Sequence, residues 1–139
     1  MKKLTKLFAL ILTLVSLFVF TACQDNNDGD KTPSDADVII TVSAEEYDIQ
    51  GKTLKDYMDY LVTDGVLEFE MNGTMIKAVN GVENTTNSFW MIYTDDMENA
   101  DSTWGTYEVN GKTYSSAKLG ICELPIKDGC TYVLTYQKF

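Results

Sequence analysis

Three Asn-Gly dipeptides, at 72–73, 80–81 and 110–111, cut the second half of this chain into short segments. Asn-Gly accepts left-handed backbone at both centres of a tight turn, so it favours two-residue hairpins between antiparallel strands. The segments between the turns have strand character. Leu67, Phe69 and Met71 alternate with Glu68 and Glu70, while MIKAV (75–79) and FWMIY (89–93) are rich in β-formers. TYEV-NG-KTYS (106–115) reads as a compact hairpin. Tyr132, Leu134 and Tyr136 alternate in a last strand, and VIITVS (38–43) supplies a first. A chain punctuated in this way must be built mainly from hairpins.

One stretch breaks the pattern. Leu54, Tyr57, Met58, Leu61 and Val62 recur at i, i+3, i+4, i+7 and i+8, the apolar face of a helix. Thr53 stands where an N-cap belongs, Asp56 three residues later completes a capping box, and Gly65 ends the run. Strand, helix and then several strands predict an α+β fold: a β-grasp-like mixed sheet of about five to seven strands, with one covering helix. In FWMIY, Trp90 and Ile92 share one face, and Phe89, Met91 and Tyr93 share the other. A single helix covers one face only. The surplus aromatics, with Trp104, Tyr107 and Tyr114, then either form an exposed patch or lie beneath longer loops.

The N-terminus predicts location. Lys2, Lys3 and Lys6 precede an apolar run from Leu7 to Phe20, which ends in Thr21-Ala22-Cys23. The run is shorter than the roughly 20 residues that span a bilayer. Small residues directly before a cysteine resemble the lipobox of bacterial lipoproteins. That resemblance implies a signal peptide over 1–22 and a diacylglycerol on Cys23, which becomes the mature N-terminus. Residues 23–37 then read as a lipidated N-terminus and disordered acidic tether, and 38–139 as the domain. The expected location is the outer face of the bacterial cell membrane, with the lipid as the membrane contact.

Charge and residue types exclude much chemistry. The formal charge is −10, and loss of residues 1–22, which hold three lysines and no acid, makes it −13. Such a chain repels nucleic acid. Histidine is absent and every basic residue is a lysine, so no His-based triad, histidine metal site or arginine clamp exists. Asp25, Asn27 and Asp28 miss the spacing of a calcium loop, and Asp95, Asp96, Glu98, Asn99 and Asp101 read as a solvated acidic loop. No metal and no catalytic pair is assigned. Cys122 and Cys130, the thiols left once lipid takes Cys23, read either as a disulfide or as two reduced, buried cysteines. Two glycosylation-type sequons, at Asn72 and Asn84, carry no meaning in a bacterial lipoprotein.

The second half has a recognisable order: Asn80-Gly81-Val82, Phe89-Trp90-Met91-Ile92, Leu119-Gly120-Ile121, then Lys127-Asp128-Gly129 with Thr131. With Thr53-Leu54 opening the helix, this resembles the transcobalamin C-terminal-like domain family, over roughly residues 38–139. The resemblance implies a β-grasp-like fold and a cobalamin half-site formed by Trp90, Met91, Ile92, Leu119, Gly120 and Ile121. Another protein, carrying a helical domain, would complete that site. Trp104 has no counterpart in the family and is expected to present an exposed binding edge. The functional expectation is a non-catalytic domain that binds a ligand or partner around residues 89–105. The alternatives are a corrinoid half-site and a structural or adhesive surface module.

Overall fold

The computed structural model describes residues 37–139; the signal segment, Cys23 and the tether up to residue 36 lie outside the described residues. Strand β1 (Val38–Thr41) leads to helix α1 (Leu54–Thr63). Then follow β2 (Phe69–Asn72), β3 (Met75–Val79), β4 (Val82–Glu83), β5 (Ser88–Thr94), β6 (Ala100–Val109), β7 (Lys112–Ala117) and β8 (Thr131–Lys138). They form a five-stranded sheet of order β1-β8-β5-β7-β6 and a three-stranded sheet of order β2-β3-β4. The fold is α+β and dominated by sheet. Among the described residues it differs from expectation in three respects: there are eight strands rather than about five to seven, they divide between two sheets, and every pairing is antiparallel rather than mixed. Two-residue hairpin loops set three of the six pairings, β2–β3, β3–β4 and β6–β7, by returning the chain beside itself; the other three join strands distant in sequence.

All three Asn-Gly sites turn the chain. At Asn80-Gly81 and Asn110-Gly111 both central residues take positive φ, as a type I′ turn requires. At the first site the loop is shifted by one residue. Asn72 pairs with Met75, so Gly73 and Thr74 are the central pair, and only Gly73 has positive φ (+62°). A bulge between Glu70 and Met71 accompanies the shift.

The helix begins as its sequence dictates. Thr53 Oγ1 accepts from the Asp56 amide, and Asp56 Oδ2 accepts from the Thr53 amide at 2.9 Å. The Thr53 amide holds the Asp56 carboxyl below its usual range, outweighing partial burial. The first two helical amides, of Leu54 and Lys55, donate to the carbonyls of Leu124 and Ile121. The loop between β7 and β8 thus satisfies groups that a helix N-terminus otherwise leaves bare. Leu54, Tyr57 and Met58 are buried against Ile40, Trp90, Tyr132 and Leu134; Val62, expected on the same face, is exposed.

The face of the larger sheet away from the helix covers itself. Tyr93, Tyr114 and Val133 are buried there, with Met91, Tyr107 and Val109 packed around them. In a flat sheet β1 and β6 would stand four steps apart, roughly 19 Å. Instead Tyr107 on β6 donates its hydroxyl to Asp37, next to β1, at 2.5 Å, and its ring lies 5.5 Å from that of Tyr93. The sheet has rolled until its two edges meet over the second core. A bulge between Asp101 and Thr106 permits the roll. Within it Gly105 (φ +127°) brings the backbone near the Tyr93 hydroxyl, where a Cβ would stand 3.9 Å away. Of the surplus aromatics, Tyr93, Tyr107 and Tyr114 therefore form a small core, while Trp104 stays exposed.

The other carboxylate oxygen of Asp37 is buried without a partner, so the Tyr107 hydroxyl is what makes this group tolerable there. Replacing it, Tyr107→Phe, is expected to lower stability by about 1–3 kcal/mol, read as a lower denaturant midpoint at unchanged slope.

Candidate functional site

Strand β5 is paired unequally on its two sides. All seven residues, Ser88–Thr94, pair with β8, but β7 joins only at Tyr93 and Thr94. Ser88 to Ile92 therefore have a strand on one side and, among the described residues, none on the other. Facing that edge is β3, which β4 in turn covers only at Ala78 and Val79. Between the two edges lies a groove of about 410 Å³.

Asn84 sets the separation of its walls. Its amide donates to the Lys77 carbonyl at 2.8 Å and its Nδ2 to the Ile76 carbonyl at 2.7 Å, both on β3. Its Oδ1 accepts from the Trp90 amide on β5 at 2.9 Å. One side chain thus splices two sheets that share no ladder. Two further bonds close the same corner: Trp90 Nε1 donates to the Val82 carbonyl and the Tyr136 hydroxyl to the Glu83 carbonyl, each at 2.8 Å. Trp90 is consequently 7% exposed, with its ring 5.6 Å from that of Tyr136.

Five of the residues that the sequence assigned to binding meet here: Trp90, Met91, Ile92, Gly120 and Ile121 all line the groove. Thr74, Met75 and Ile76 form the opposite wall, and no lining residue is charged. Met75 is 65% exposed at the rim, and Phe139 stands beside Phe89 with ring centroids 6.2 Å apart. A neutral, largely apolar cleft with a few backbone and amide polar groups has the make-up of a binding site. It lacks the converging carboxylates that acid–base chemistry would need.

Comparison with protein-family models, with curated proteins and with solved structures finds no match for this chain. The functional reading therefore rests on the groove itself.

Other expected residues lie elsewhere. Leu119 is partly exposed and does not line the groove. Trp104 is 64% exposed, but it sits within the bulge of β6, the outer edge strand, and takes no part in the cleft. Cys122 and Cys130 are free thiols, not a disulfide. The Cys122 sulfur faces the Thr74 carbonyl at 3.9 Å, whereas Cys130 is fixed at the entry to β8, where its carbonyl accepts from Val42. Burial, with Asp95 and Asp96 nearby, pushes the Cys130 thiol up and keeps it protonated.

The acidic segment is a solvated loop only in part: Met97 and Glu98 are exposed, as expected, but Asp96 is not. Asp96 is 3% exposed and accepts from Asn99 Nδ2 at 2.7 Å and from Lys127 Nζ at 2.9 Å. Burial raises the Asp96 carboxyl, but the bonds from Asn99 and Lys127 outweigh it and hold the group below its ordinary range. Glu98 also pairs with Lys127, and both acids push that lysine up. Asp95 accepts from the Thr131 amide and from Lys112, and Asp101 from Thr103. Each of these acids is engaged, Asp96 and Glu98 sharing Lys127, and no metal-holding group of three occurs among the described residues. These bonds tie the turn after β5 to the β7–β8 loop.

Asn84, Thr74, Met75 and Ile76 were not legible as site residues. Asn84 stands in Asn-Thr-Thr, a sequence that reads as a turn, and only the structure shows all three of its bonds. Removing the two side-chain bonds while keeping the backbone bond to Lys77, Asn84→Ala, is expected to cost about 2–4 kcal/mol and to lower Tm by about 10 °C or more. Calorimetry of that variant, with Asn72→Ala at an exposed turn as the control, checks the splice.

Proposed function

We propose that this chain is a membrane-anchored extracytoplasmic lipoprotein whose domain binds a ligand or partner in the groove between β3 and β5, without catalysis. One observation carries the reading: Trp90, Met91, Ile92, Gly120 and Ile121, separated by up to 31 positions, converge on one uncharged cleft. The lipobox resemblance at Cys23 supports the anchor. The order of strand, helix and strands, with the helix laid on one face, supports kinship with β-grasp folds in a wholly antiparallel form.

Nile red, a neutral apolar dye, tests the groove. The expected outcome is saturable enhancement of its emission, weakened about tenfold or more by Met75→Asp, which corresponds to about 1.4 kcal/mol. Trp104→Ala should leave binding unchanged. The opposite pattern would move the site to the edge of β6 and remove this reading.

A corrinoid half-site is the second reading, favoured because most of the residues that the family resemblance assigns to cobalamin line this one cleft. Equilibrium dialysis with cyanocobalamin decides it, since no retention, alone or with a helical-domain partner, would sink it. For the anchor, radiolabelled palmitate is expected to label the wild-type chain in bacteria and not Cys23→Ala, which should leave the membrane fraction.

A further inference from the structure

The groove differs from an ordinary apolar pocket in having strand edges for walls. On the open side of β5 two backbone groups are already used: the Ser88 carbonyl accepts from Thr85 and the Trp90 amide donates to Asn84 Oδ1. Backbone direction alternates along a strand, so the Trp90 carbonyl and the Ile92 amide project from this same side. No strand pairs with them there among the described residues. They present one acceptor and one donor at the spacing of an antiparallel or parallel ladder.

The outer edges of the same sheet are blunted in familiar ways. Strand β1 is only four residues long, and β6 is broken by its bulge. The inner edge at Phe89–Ile92 has no charge, no proline and no bulge, and its side chains are Phe, Trp, Met and Ile. An edge left unprotected beside a cleft is suited to pairing.

We propose that the groove takes an extended polypeptide segment of a partner protein as an added strand on Trp90–Ile92. The Trp90 carbonyl and the Ile92 amide supply the ladder, and alternate side chains of the segment enter the cleft. Because no lining residue is charged, those alternate side chains are uncharged and mainly apolar. The flanks of the segment are basic. The chain carries 21 acidic residues against 11 basic ones, and Lys55, Lys77, Lys112 and Lys127 are each engaged by a carboxylate. Complementary charge then speeds the encounter and fixes the orientation of the segment. This inference rests on the groove being a binding site and names the class of its occupant.

The experiment uses the full-length chain in detergent micelles. The probe is a fluorescein-labelled, blocked peptide of alternating valine and threonine between terminal lysines. Binding is followed by anisotropy, and amide exchange is measured by NMR. The expected result is saturable binding, about tenfold or more weaker when alternate peptide amides are N-methylated, which removes ladder bonds but keeps the side chains. Peptide should slow exchange of the Ile92 amide and leave that of Met91, which β8 already flanks, unchanged. Exchanging the terminal lysines for glutamates should weaken binding; equal or tighter binding would overturn the charge argument. Equal binding of the N-methylated peptide, or no binding while Nile red still binds, would overturn the strand and leave the groove standing. Loss of both would remove the groove reading as well. Protection of the Ile92 amide that rises with protein concentration in the absence of peptide would show a second copy as the occupant and overturn the partner segment.

Discussion

Two sheets with no shared ladder hold together here through the side chain of Asn84. Its two bonds reach Ile76 on one side and Trp90 on the other, and the Asn84 backbone amide adds a third to Lys77. An amide suits this place because it offers donor and acceptor at once, and both are needed where one strand presents a carbonyl and the other an N–H. Aspartate has no donor to give, and serine has too short a reach. From this pinned corner β3 and β5 diverge, and the divergence is the groove. The groove is thus a by-product of a junction, with Trp90 as both structural post and wall.

The other organising device is the rolled sheet. Among the described residues a single ten-residue helix covers only one face of a five-stranded sheet. The fold solves the shortage by bending the β6–β7 hairpin back over the second face, where Tyr93, Tyr107 and Tyr114 meet. Tyrosine serves well there: the ring fills the core while the hydroxyl finds a polar group, as with Tyr93 and Gln137 at 3.1 Å. Far fewer aromatics are left exposed than the composition suggests.

What the sequence disclosed depended on the range of each interaction. The capping box, the helix face and the Asn-Gly turns are set by neighbours within four positions, and the structure bears them out except at Val62, which is exposed, and at Asn72-Gly73, where the turn is shifted by one residue. The alternation of Trp90 and Ile92 against Met91 and Tyr93 was equally plain, since it follows from the pleat alone. The failures were long-range. Asp96 looked solvated because its partner Lys127 lies 31 positions away. Trp104 is exposed on an edge strand, as expected of it, but that edge is β6 and not the groove. For Cys122 and Cys130 the spacing left a disulfide and two reduced thiols equally open, and the thiols are free because the loop between them is spent on seating the helix. Most of the groove's near wall was legible as a set of residues, and β3 as its far wall was not, since local pattern holds no trace of which strand will face which.

The contact between Asp37 and Tyr107 also has a mechanical side. Asp37 is where the preceding chain enters the domain, and any tension along that chain arrives there first. Load applied at this point falls on a side-chain bond to the far edge of the rolled sheet before it reaches the first ladder pair of β1, Val38 with Leu134. The seam that closes the sheet is therefore also a latch. If it gives way, β1 becomes free to peel from β8 one pair at a time, while the junction at Asn84, on the opposite face, stays shut.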